Sequence, residues 1–158
     1  MIRMSASASI ESENKVLMRR WIEEVWNHGH EELIEEMRAP DTVSRGLGEG
    51  ESRGQAPFKA FYHNLRGTFK DLHLKIEDVI AEGDKVVLRF TAKGTHNGDL
   101  LAPATGRRVT FAGVIIARIA NGKIAEGWTN IDKLGILRQI GALPADSGPD
   151  PFLTTRQS

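Results

Sequence analysis

Residues 109–131 read VTFAGVIIARIANGKIAEGWTNI, and this stretch decides the fold. At its centre, Asn121-Gly122 is a strong signal for a two-residue hairpin turn, because both positions must accept positive φ. The flanks are rich in β-branched residues, which predicts one strand over Val109–Ile119 and another over Lys123–Ile131. On the first strand Ala112, Val114 and Ile116 share one side, while Phe111, Gly113 and Ile115 share the other. Both sides are apolar, so each needs a cover. Helices of the same chain can cover one side and a second subunit the other, so a homodimer is expected.

Moving outward, the same period of two continues upstream. Leu72, Leu74 and Ile76 alternate with His73, Lys75 and Glu77. Glu82-Gly83-Asp84 marks a turn, Val86–Thr95 a long strand, and His96–Gly106 a loop. Downstream, Lys133–Ile140 has the spacing of a closing helix, with Gly141 suited to end it. Towards the N-terminus the period becomes helical. Leu17, Trp21 and Val25 recur at i, i+4 and i+8, widened by Met18, Ile22 and Trp26. Ser12 is the expected N-cap, and Asn27-His28-Gly29 the stop. A short helix is predicted from Glu31 to Arg38, broken by Ala39-Pro40-Asp41. Gly46–Gly54 reads as a loop, and Gln55–Phe69 as a third helix. Three helices followed by four antiparallel strands give an α+β fold rather than a parallel βαβ sheet. A curved sheet under helices leaves a concave, mostly apolar pocket.

Composition limits the function classes. The chain has 158 residues, 40% of them hydrophobic, which suits one domain, placed at residues 12–143. Residues 1–11 and 144–158 are expected to be flexible ends. Lys plus Arg number 21 and Asp plus Glu also 21. That balance argues against nucleic acid and against a membrane surface as partners. No apolar run is long enough to span a bilayer, and the first nine residues lack a signal-peptide core. Cysteine is absent, which removes disulfides, thiolate nucleophiles and Cys-ligated zinc. A cytoplasmic location is expected.

Several short segments then carry a family resemblance. They are Asn14-Lys15 with Glu24-Val25-Trp26-Asn27, then Ala39-Pro40-Asp41, and Ile80-Ala81-Glu82-Gly83-Asp84 leading to Arg89-Phe90-Thr91 and Gly94-Thr95-His96. Pro103-Ala104-Thr105-Gly106-Arg107 follows, then Asn121-Gly122-Lys123-Ile124 through Trp128, Asp132 and Leu134-Gly135. In order and spacing they resemble the SnoaL-like polyketide cyclase (ester cyclase) family, over about residues 14–143. The resemblance implies the cone-shaped sheet of the nuclear-transport-factor-2-like superfamily. It also implies closure of a ring by intramolecular aldol condensation, without metal or cofactor, on a small hydrophobic or aromatic carbonyl ligand. It gives Asp132 the position of the family's general acid/base.

The residues themselves suggest a site on the last strand. Trp128, Asn130 and Asp132 alternate and share a face, offering an apolar wall, a hydrogen bond and a proton acceptor. Asp132 is equally suited to cap the helix that follows, and the two roles are compatible. His96 could orient Asp132 or polarise a carbonyl, or could bond the loop behind it. Trp21 and Phe61 belong to an aromatic stripe that forms core and lines part of a pocket. Ser44-Arg45 stands where the family commonly has an acidic residue and a His. Arg45 is a permanent cation and cannot be a base, so it would bind a ligand at the pocket mouth or pair with the Glu49–Glu51 loop. His28-Gly29-His30-Glu31-Glu32 reads as helix end and start rather than as a metal site. A different hydrolase or isomerase on the same fold, and a non-catalytic binding or dimerisation module, are the alternatives.

Overall fold

The computed structural model describes residues 6–144, so the expected C-terminal tail lies almost wholly outside the described residues. The first helix, α1, runs Ala6–Arg20 and continues without a break as a π-helical segment, Trp21–Asn27. It therefore begins inside the stretch expected to be frayed, and Ser12 is not its cap. A short helix, α2, spans Leu33–Met37, and α3 spans Gln55–Thr68. The strands are β1 Arg38–Arg45, β2 Glu51–Arg53, β3 His73–Glu82, β4 Lys85–Thr95, β5 Arg108–Ala120 and β6 Lys123–Ile131. A last helix, α4, covers Lys133–Gln139.

The sheet is curved and unclosed, with strand order β2-β1-β6-β5-β4-β3. The α+β class is as the sequence implies, but the sheet has six strands where four were expected. Nor is it wholly antiparallel, since β1 runs parallel to β6. Residues 38–45 carry only one large apolar residue, Val43, and a proline, so nothing local marks them as a strand. Their place is fixed by pairing with β6, which is a non-local cause. The Asn121-Gly122 turn forms as predicted, at φ 51° and 71°.

α1, its π segment and α3 lie across the inner face. Met18, Trp21, Ile22, Val25, Trp26, Phe58 and Tyr62 pack there against Leu74, Leu88, Phe90 and Phe111, all buried. The π segment turns both Trp21 and Trp26 inward, five residues apart, a spacing that an α-helix would place on different faces. Two carbonyls near its end are held by α3: the Tyr62 hydroxyl donates to Val25 O at 2.9 Å, and Arg66 donates to Trp26 O. Asn27 then ties the segment to β3. Its amide donates to Leu74 O at 2.9 Å and its carbonyl accepts from Leu74 N at 2.8 Å.

Candidate functional site

The inner face of the sheet and the helices enclose a narrow cavity of about 30 Å³. Aromatic walls come from Trp21, Trp26, Phe58, Phe61, Phe90 and Phe111. The strands add Ile115, Ala117, Gly127, Thr129 and Ile131, and Ser44 and Arg38 come from β1. Beside it lies a wider recess of about 300 Å³, between α3, α4 and the loop that follows β4, with Leu100, Leu101, Ile136 and Leu137 in its wall. Leu47, Phe61, Leu65 and Ile131 line both, so they form the boundary between cavity and recess.

Trp21 and Phe61 thus stand where the sequence suggested, in the cavity wall. Trp128 and Asn130 do not. They share a face, but it is the outer one, and β6 presents Gly127, Thr129 and Ile131 to the cavity. The cause is a bulge. β5 pairs Ala117 with Gly127, Arg118 with Glu126, and Ile119 with Ile124, so Ala125 is skipped. Strict alternation from buried Ile124 would turn Glu126, Trp128 and Asn130 inward, and one extra residue reverses the parity of all that follows.

Asp132 also lies outside the cavity wall. Its side chain is exposed, and Oδ1 accepts the Gly135 N–H at 2.8 Å as the N-cap of α4. Gly135 is needed for that contact, because a Cβ there would come within 2.2 Å of the carboxylate. Asp132 nonetheless separates Ile131 from Lys133, both of which line the recess. His96 is fully buried and lines neither space. Its Nδ1 lies 3.0 Å from the Thr105 hydroxyl and 3.3 Å from the Thr105 N–H. With His96 N on Arg107 O and Gly106 N on His96 O, both at 2.9 Å, it pins the ends of the loop that bounds the recess.

Arg45 faces outward with Trp128. Its guanidinium lies 5.0 Å from the Trp128 ring centre, 2.8 Å from Glu126 and 2.7 Å from Glu51. Arg118 adds a second cation to Glu126 at 2.9 Å. Hydrogen bonds donated by Arg45 and then Arg118 hold the Glu126 carboxyl below its ordinary range, and the bond that Glu126 accepts, with the charges of Glu51 and Glu126, raises the Arg45 pKa. This is a strand-joining network on the sheet exterior, and it pairs Arg45 with the Glu49–Glu51 loop.

The residue the sequence reading missed is Arg38. It is 4% exposed and lines the cavity. Nη2 donates to Thr42 Oγ1 at 3.0 Å and to Ser44 Oγ at 2.7 Å, and the guanidinium lies 4.2 Å from the Phe58 ring centre. No carboxylate meets it among the described residues, and Nε has no acceptor. Burial alone pushes its pKa down to about 10, so it stays charged at neutral pH. The sequence placed Arg38 at the end of a predicted helix and gave it no role; the only hint was its position directly before Ala39-Pro40. Among the described residues no group of acidic and His side chains could hold a metal ion, and no helix is long and apolar enough to cross a membrane.

Comparison with known proteins agrees with this architecture. The family model for SnoaL-like polyketide cyclases matches residues 16–140. Aklanonic acid methyl ester cyclase DnrD of Streptomyces peucetius is 32% identical over 129 residues, covering 79% of this chain and 88% of DnrD. Among solved structures, the proposed hydroxylase AclR of Streptomyces galilaeus is 30% identical, with a TM-score of 0.77 over 85% of this chain and 99% of AclR. A proposed SnoaL-like polyketide cyclase from Jannaschia sp. CCS1 is 26% identical, with a TM-score of 0.79 over 91% of this chain and 99% of its own. On the match over most of its length, with the sheet and helices those relatives share, the chain belongs to the SnoaL-like polyketide cyclase family.

Proposed function

We propose that the chain closes a ring in a polyketide-type carbonyl compound: a proton is taken from the carbon next to one carbonyl, that carbon attacks a second carbonyl of the same molecule, and the proton returns to the alkoxide so formed. The observation that carries this reading is the wide apolar recess that shares Leu47, Phe61, Leu65 and Ile131 with the aromatic-walled cavity, a recess that suits a flat, largely apolar ligand better than a sugar or a nucleotide. A polarised substrate stabilises its own enolate, so positioning and one proton acceptor suffice. Among the described residues no carboxylate or imidazole lines the inner cavity, where Arg38 is the charged group. We assign the acceptor to Asp132, beside the recess. Its Oδ2 takes no hydrogen bond among the described residues, while Oδ1 fixes the side chain. His96 acts at one remove, by holding the loop that bounds the recess.

The methyl ester cyclase DnrD suggests the probe. Aklanonic acid methyl ester should be converted to a cyclised isomer of unchanged mass, followed by chromatography and mass spectrometry. Asp132→Asn keeps the cap, since Asn caps about as well as Asp, but removes the base. Turnover should fall by about 10²-fold or more. Undiminished turnover in that variant would remove Asp132 from the mechanism. No conversion of this ester or of related β-keto esters would count against the cyclase reading, and a product heavier by one oxygen would point to the activity proposed for AclR. We also propose that the chain pairs with a second copy through the outer face of the sheet around Ile116 and Trp128.

A further inference from the structure

Arg38 poses a problem that the aldol chemistry does not solve. A cation removed from water is costly unless an anion or several acceptors replace the water. Here the replacements are two neutral hydroxyls and the faces of Phe58 and Trp21. They lower the cost but bring no negative charge. Nε–H still has no acceptor among the described residues. The same cavity wall holds a second buried donor without a partner, the indole Nε1–H of Trp26. Arg38 and Trp26 both pack against Phe58. The two residues that carry these unanswered donors, one of them fully charged, line a space whose other walls are almost wholly apolar.

Size decides what can answer them. A cavity of about 30 Å³ has room for roughly two water-sized groups, so no ring system enters it. It can take one oxygen-bearing head group. The ring system belongs in the recess of about 300 Å³, across the Leu47, Phe61, Leu65 and Ile131 boundary.

We propose that the inner cavity is an oxyanion site, in which Arg38, with Trp26 as second donor, receives a carboxylate or enolate oxygen of a ligand whose apolar rings fill the recess. This deepens the cyclase reading, on which it rests for the place of the ligand, by naming the substrate class: a flat compound with an acidic oxygen function at one end. An enolate held there would be stabilised by the same guanidinium during ring closure, which makes Arg38 a catalytic as well as a binding residue.

Calorimetric titration with small two-ring probes tests this without any turnover. Naphthoate should bind about ten- to hundredfold tighter than methylnaphthalene, as expected for a charge-assisted bond, and naphthylmethylamine should bind weakest. In Arg38→Met, a change of shape-matched apolar bulk for charge, the three should bind within about twofold of one another. Acetyltetralone, an enolisable diketone, distinguishes enolate from carboxylate. Its enolate absorbance should appear on wild-type protein at a pH lower by about 1–3 than in buffer, and not on Arg38→Met. The wild-type series stands alone should Arg38→Met fail to fold. Equal binding of naphthoate and methylnaphthalene to the wild type would overturn the proposal, as would a preference that survives Arg38→Met. Selective binding without conversion of aklanonic acid methyl ester would overturn the cyclase reading and leave this one standing.

Discussion

Asp132 carries two duties that substitution can separate. Asp132→Ala should cost about 1 kcal/mol of stability through loss of the α4 cap, whereas Asp132→Asn should cost almost nothing. Thermal unfolding of the two variants, set beside their turnover, divides cap from base. Asp71 gives the clearest pH dependence. It accepts the Thr95 N–H at 2.6 Å and the Thr95 hydroxyl at 2.7 Å, and these bonds hold its pKa below the ordinary 3.8. A carboxyl whose folded value is depressed contributes stability above its unfolded value and loses it as pH falls through the folded one. Asp71→Asn should therefore lower the melting temperature by about 1–3 °C at neutral pH, and the difference should close well below pH 3.8. A gap that persisted in acid would mean that the ionised form is not what Thr95 holds. At this scale the sequence was partly legible. The cap role of Asp132 follows from residue type, and so do the aromatic walls at Trp21 and Phe61. The face of Trp128 does not, because a single skipped residue at Ala125 leaves no mark in composition yet decides which side chains meet the cavity.

The π segment shows the same limit at the level of elements. Apolar positions 17, 18, 21, 22 and 25 fit an ordinary helix, and position 26 only widens that stripe, so the pattern alone does not mark the wider turn. What selects the wider turn is outside the segment, in the bonds that Tyr62 and Arg66 make to the Val25 and Trp26 carbonyls. Tyr62→Phe keeps the ring but leaves Val25 O buried without that donor, at a cost of about 1–3 kcal/mol. Denaturant unfolding measures that loss. If the bond also sets the inward turn of Trp26, the Trp fluorescence of the folded variant should shift as well. An unchanged midpoint would mean that the segment holds its shape without α3. β1 is the parallel case. Its pattern is nearly silent, and it becomes a strand through pairing with β6, bringing Arg38 and Ser44 to the cavity. The charge in the site was thus hidden with the strand that carries it.

For the molecule as a whole, the bulge that removes Trp128 from the cavity strengthens the case for a partner. Ile116 pairs with Trp128 across β5 and β6, and with Val87 across β5 and β4, so all three share the outer face with Val114. Each is only partly buried in the single chain. Around them, Arg45, Glu126 and Arg118 form the charged network already described, an apolar centre with a polar rim, which is the usual plan of a subunit interface. A two-fold axis through this patch would place Ile116 and Trp128 of one copy against the same residues of the other. Ile116→Glu puts a charge at the centre without touching the inner face, so it should leave the fold intact. It should weaken self-association by about thirtyfold or more, as for a central interface residue. Sedimentation at micromolar concentration would show it: a wild-type dimer and a monomeric variant with unchanged circular dichroism. A monomeric wild type would mean that the charged rim and Arg45 over Trp128 are cover enough for this face.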